Sequence, residues 1–180
     1  GSQSVIASRT LRTWGESESG LNERLHDVIG ELDRVGNPTL AFLASGWEGI
    51  KVRLTAKADS PSSVESILDE WDARVRAVVG DVVFGVDADT MESVVLDLMR
   101  SRGLTLGLAE SVTGGLVSGR LTNVAGSSDV LRGSIVSYAS EVKFDVLGVS
   151  PGPVVNEQVS VEMAVGARRV LGAYVDRSDG

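Results

Sequence analysis

The stretch Leu104-Thr105-Leu106-Gly107-Leu108-Ala109-Glu110-Ser111-Val112-Thr113-Gly114-Gly115 runs from apolar residues into Glu-Ser-x-Thr-Gly-Gly. An apolar strand that enters a helix at such a junction leaves first-turn N–H groups without partners and with partial positive charge. Ser111, Thr113, Gly114 and Gly115 could there surround an anion or a developing oxyanion, the glycines admitting a ligand close to the backbone. The same spacing fits a plain helix start, with Thr113 as N-cap and the glycines serving tight packing, and spacing alone leaves both readings open. The sequence has no cysteine and a single histidine, His26. Thiolate nucleophiles, Cys-type zinc sites and multi-histidine metal sites are therefore excluded, and chemistry must come from oxygen, amine or backbone groups.

Other signals fail on inspection. Gly46-Trp47-Glu48-Gly49 has the GxxG spelling of a nucleic-acid backbone clamp, but it carries Glu48 and lies between two strand-like stretches, which favours a hairpin turn. Asp87, Asp89 and Glu92 could chelate a hard cation, yet Asp89 three residues before Glu92 is better read as a capping box at a helix start. His26 falls inside an acidic amphipathic helix and reads as a surface or core-edge residue. Ser140-Glu141-Val142-Lys143 spells SxxK without the companion S-D-N and K-T-G motifs. Tyr138 and Lys143 are five apart, not the four of a Tyr–Lys pair on one helix face. No GxGxxG follows a strand, which argues against a dinucleotide site.

These residues must be positioned by elements whose pattern is visible. Ala7–Trp14 reads as a strand, and Ser19 precedes a helix with Leu21, Leu25, Val28, Ile29 and Leu32 on one face. Thr39–Ala44 and Ile50–Ala56 are strand-like, the second alternating Val52, Leu54 and Ala56 with Lys51, Arg53 and Thr55. Ser60-Pro61 caps a helix bearing Val64, Ile67, Leu68, Trp71, Val75 and Val78, and Val82–Val86 closes the set. The order β-α-β-β-α-β predicts an α+β ferredoxin-like domain over residues 1–88. From 89 to 180, a helix at 91–102, strands at 104–108 and 134–138, and helices at 113–122, 141–147 and 160–171 predict an α/β domain with a parallel sheet.

Of the 180 residues, 17 are Lys or Arg and 25 Asp or Glu, a net charge of −8. Residues 1–100 hold 10 basic and 17 acidic side chains, net −7, against 7 and 8, net −1, in the remainder. That balance argues against nucleic acid or an anionic membrane as partner. No apolar run reaches the length of a membrane span, and the start lacks a secretory pattern, so the expected location is cytoplasmic.

The motifs Ala-Glu-Ser-Val-Thr-Gly-Gly at 109–115, Gly-Ser-Ser at 126–128, Ser-Tyr-Ala-Ser-Glu-Val-Lys at 137–143, Leu-Gly-Val at 147–149 and Gly-Ala-Arg-Arg-Val-Leu-Gly at 166–172 together resemble the CinA (competence/damage-inducible) family. The second part is similar to its C-terminal nicotinamide mononucleotide amidase domain, and the first to the small KH- or ferredoxin-like domain that precedes it. The resemblance implies conversion of nicotinamide mononucleotide to nicotinic acid mononucleotide and ammonia, with no metal or other cofactor. It implies Ser111 as nucleophile, Tyr138 and Lys143 as proton-transfer partners, and Glu110, Thr113, Gly114 and Gly115 at the substrate. The partners implied are a small pyridine nucleotide and a second copy in a homo-oligomer, a dimer. The sequence departs from the family pattern at Val112, where cysteine is usual, and at Ser140, where asparagine is usual. It also stops at Gly180, before the strand and the Thr-Gly-Ile-Ala-Gly-Pro-type loop with which family members continue. The expectation is an incomplete α/β domain, inactive or completed by another subunit, and the alternative is a non-catalytic fragment serving assembly.

Overall fold

The period-two pattern around Val52 builds the centre of the first sheet. A computed structural model describes residues 4–44 and 46–173, which divide into two compact units between Met91 and Glu92. The first unit runs β1 (Val5–Thr13), α1 (Glu18–Arg24), α2 (His26–Val35), β2 (Thr39–Ala44), β3 (Ile50–Ala58), α3 (Pro61–Val79) and β4 (Val83–Val86). Its strands pair antiparallel in the order β2-β3-β1-β4, the ferredoxin-like arrangement that the element order predicts. Leu11, Val52, Leu54 and Ala56 point from the sheet into the core, where Val64, Leu68, Trp71 and Val75 of α3 meet them. Ser60 accepts a hydrogen bond from the Ser63 amide at 3.2 Å, and Pro61 opens the helix, where its missing N–H has no cost.

Three local features differ from expectation. The first helix is two helices, because Leu25 (φ −88°, ψ 7°) leaves helical geometry and His26 restarts it. Leu21, Leu25 and Leu32 still share one buried face, so the apolar period passes through the break and conceals it. The cap is Ser17, whose hydroxyl accepts from the Gly20 amide, in place of Ser19. The Asp89–Glu92 capping box is not formed. The Asp89 carboxylate turns back to the Val86 amide at 2.8 Å, α4 (Met91–Ser101) starts after Thr90, and Glu92 pairs with Arg120. The 46–49 segment is the hairpin connection expected, a 3₁₀ turn between adjacent strands, with Glu48 paired to Arg12 and Lys51. His26 is exposed at the start of α2.

The second unit continues with β5 (Leu106–Glu110), α5 (Leu116–Thr122), β6 (Leu131–Val136), α6 (Ser140–Asp145) and α7 (Glu157–Leu171). β5 and β6 form a parallel pair, as the strand–helix alternation predicts. β6 begins three residues earlier than expected because Val130 and Leu131 pack with Leu96 and Leu121. α5 begins three residues later, since Gly114 (φ 61°) and Gly115 (φ 100°) take a left-handed conformation that ends the preceding turn and cannot be helical. α7 is longer than expected by a turn, with Asn156 as its cap accepting from the Val159 amide. Leu147, Val149, Val159, Met163 and Ala167 form its core, against Ala109 and Ile135 of the sheet. The expectation for residues 174–180 lies outside the described residues. Among those described, no helix is long and apolar enough to cross a membrane.

Candidate active site

Parallel strands deliver their carboxyl ends to one side of a sheet, and loops there collect ligand-binding groups in α/β folds. Ser111 follows the last residue of β5, and the ladder runs on past β6, with the Ser137 amide donating to the Glu110 carbonyl at 2.8 Å. Ser111 and the Ser137-Tyr138 segment therefore leave adjacent strands at the same end. Lys143, on α6, reaches back to that end. Its Nζ donates to the carbonyls of Ser137 at 2.5 Å and Tyr138 at 3.2 Å, and the residue is buried, at 4% exposure. Two Nζ hydrogens are thus placed, and the third position on the nitrogen, a proton in the ammonium and a lone pair in the neutral amine, has no partner among the described residues. Ser111 and Lys143 line one cavity of about 470 Å³, whose lining also includes Asn156, Ser160 and Met163 at the cap and first turns of α7.

The Tyr138 side chain behaves differently. It is 75% exposed and outside the cavity lining, and it is the residue's carbonyl that meets Lys143. Thr113 and Gly114 are exposed on the turn after Ser111. The Gly114 amide donates to the Ser111 carbonyl at 3.0 Å, which closes that turn and removes one of the three amides considered for an anion.

Glu110 is buried at the start of α5, where the first-turn amides of Val117 and Ser118 donate to its two carboxylate oxygens at 2.8 and 3.0 Å. The hydroxyls of Thr113, Ser118 and Ser134 add three more donors at 2.9, 2.7 and 3.0 Å. Burial alone would raise this carboxyl, but the Ser118 hydroxyl, the Ser118 and Val117 amides and the Thr113 hydroxyl outweigh it and bring the pKa from 4.5 to about 2. Because the folded value is depressed, the stabilisation is complete above the unfolded value and is lost as pH falls through about 2. The difference corresponds to about 3 kcal/mol. Denaturant titrations between pH 2 and 5.5 should show wild type losing about that much more stability than Glu110→Gln, and parallel curves for the two would refute the assignment.

Sequence reasoning overlooked Ser118, Ser134, Asn156, Ser160 and Met163. Asn156 was legible as a cap, since it precedes Val159 and Met163 on one helical face. Ser118 and Ser134 carried no signal, because their role depends on a carboxylate on another element. Among the described residues, no group of three or more His, Cys, Asp or Glu could hold a metal ion.

Comparison with known proteins bears on the same two units. Residues 88–176 match the family model for the CinA C-terminal domain, and residues 8–85 match that for the damage-inducible protein CinA KH domain. The chain belongs to the CinA family. It is similar to a CinA-like protein of Frankia casuarinae, at 44% identity over 96% of this chain and 41% of that protein. A protein of Moorella thermoacetica named for competence-damage inducibility is 40% identical over 95% of this chain and 41% of its own length. The chain thus spans about two fifths of the length of these CinA relatives. A crystal structure of the competence/damage inducible protein CihA from Agrobacterium tumefaciens superposes on 47% of this chain and 53% of its own, with 34% identity and a TM-score of 0.43.

Proposed function

We propose that this CinA-family chain hydrolyses the carboxamide of nicotinamide mononucleotide to nicotinic acid mononucleotide and ammonia. The observation that carries the reading is the shared cavity of Ser111 and the buried Lys143 at the carboxyl end of β5, in a chain with no cysteine and a histidine exposed elsewhere. An alcohol attacks an amide near neutral pH only when a base removes its proton. In this reading the Lys143 amine takes the Ser111 proton as Oγ bonds to the carboxamide carbon. The tetrahedral intermediate then collapses, the amide nitrogen receives that proton, and ammonia leaves. Water attacks the resulting ester, its proton returns through Lys143 to Ser111, and the acid is released. Tyr138 is assigned the hydrogen bond to the leaving nitrogen, which requires its exposed side chain to turn toward the cavity, and of the 113–115 turn the Thr113 and Gly115 amides are left to hold either the oxyanion or the phosphate. Val154, Val155 and Met163 give the cavity an apolar wall suited to a pyridine ring. The same reading takes a cytoplasmic location and a homodimer, for which the exposed Val112, Leu116 and Val136 supply apolar surface.

The test is to capture the covalent state. The protein is mixed with excess nicotinamide mononucleotide, quenched in acid within a turnover and digested. The peptide containing Ser111 should carry the nicotinoyl nucleotide mass, while free nicotinic acid mononucleotide accumulates. Product formed with the label on no residue, or on a residue other than Ser111, would overturn the mechanism. No product at all would overturn the activity.

A further inference from the structure

We propose that Glu110 is a positioning residue, a built-in anion that locks the strand–turn–helix carrying Ser111 and does not itself touch substrate. The amidase reading above is the basis for the kinetic part of this role. A carboxylate offers about four acceptor positions, and here five donors converge on it. Oε1 accepts from the Thr113 hydroxyl and the Val117 amide, and Oε2 accepts from the Ser118 amide, the Ser118 hydroxyl and the Ser134 hydroxyl. No acceptor capacity is left for a ligand, the side chain is buried, and it does not line the Ser111–Lys143 cavity.

The donors come from every piece that must be held together. Thr113 belongs to the turn after Ser111, Val117 and Ser118 to the first turns of α5, and Ser134 to β6. The backbone of Glu110 itself receives the Ser137 amide, the residue whose carbonyl holds Lys143. One residue therefore fixes the turn on which the nucleophile sits and, through Ser137, the segment that anchors the proposed base. The positive end of α5 is answered by a carboxylate of the chain, so the Val117 and Ser118 amides are not available to an anionic substrate.

The experiment compares the whole chain with its Glu110→Gln and Ser134→Ala variants, by amide hydrogen exchange and by kcat and KM for nicotinamide mononucleotide. Glutamine keeps the shape but turns an NH₂ toward groups that are themselves donors. In Glu110→Gln, exchange at Val117 and Ser118 should accelerate about tenfold or more while β1–β4 amides stay as in wild type. The kcat should fall about 10²-fold with KM within about threefold, because misplacing a nucleophile affects the reacting complex more than binding. Ser134→Ala removes one donor of five and keeps the carboxylate, so it should fold and lower kcat about two- to fivefold at constant KM. A tenfold rise in KM at unchanged kcat would mean that Glu110 touches substrate, and unchanged exchange at 117–118 would mean that it holds nothing; either overturns the proposal. A wild-type chain without turnover removes the amidase reading alone, and the exchange measurement then decides the role of Glu110.

Discussion

Ser111→Ala is expected to abolish nicotinamide mononucleotide hydrolysis, and Lys143→Met to lower kcat/KM by about 10³-fold. The first variant removes the atom that would bond to the carboxamide carbon. The second keeps most of the side-chain volume and removes the amine. Groups that act as a unit are not additive, so the double variant should be no slower than the slower single one. Methionine also leaves the Ser137 and Tyr138 carbonyls without the donor that reaches them at 2.5 and 3.2 Å. A buried acceptor left without its partner costs about 1–3 kcal/mol, so Lys143→Met should unfold at a lower denaturant concentration while Ser111→Ala does not. Rates are therefore compared well below either unfolding midpoint, with product resolved by mass. Hydrolysis by Ser111→Ala at the wild-type rate would remove the serine mechanism altogether. Wild-type rates from a folded Lys143→Met chain would leave the serine and assign the lysine to holding carbonyls.

That two-sided role of Lys143 marks the limit of what the sequence discloses. The ferredoxin-like order was legible because β3 alternates strictly and because Ser60-Pro61 sets the start of α3 by local chemistry alone. The break at Leu25 was not, since Leu21, Leu25 and Leu32 keep helical spacing across it and spacing carries no record of one residue's ψ. In the second unit, element types follow from periodicity, whereas boundaries follow from packing. β6 extends back to Leu131 because of contacts with Leu96 and Leu121, 35 and 10 residues away along the chain respectively. At the candidate site, Ser111 stands out through its strand–turn–helix setting. The burial of Lys143 does not, because it depends on the 137–138 backbone turning to face α6. The outward side chain of Tyr138 is equally silent, since a strand-end aromatic can leave the sheet on either side.

Gly166→Ala is expected to be among the most damaging single-methyl additions to the second unit. A Cβ at this position would lie 2.1 Å from the Leu147 carbonyl oxygen and within 3 Å of the Leu147 carbonyl carbon and Cα. Those are backbone atoms, so no rotamer change relieves the overlap, and α7 has to move away from the 147 segment. Helix propensity points the other way, because alanine in a helix interior is favoured over glycine by about 1 kcal/mol. The steric term should win, since overpacking of a tight contact costs about 1–3 kcal/mol and here the obstacle cannot rotate. Leu147, Met163 and Ala167 share one core cluster, and Met163 also lines the Ser111–Lys143 cavity. Displacing α7 therefore acts on stability and on the lining of the cavity together. Urea titration should show Gly166→Ala destabilised by about 2 kcal/mol, with a raised KM for nicotinamide mononucleotide, whereas Gly119→Ala, on α5 with open space around its Cβ position, should be neutral or stabilising. Equal stability of Gly166→Ala and wild type would mean that α7 and the 147 segment are not in the close contact described.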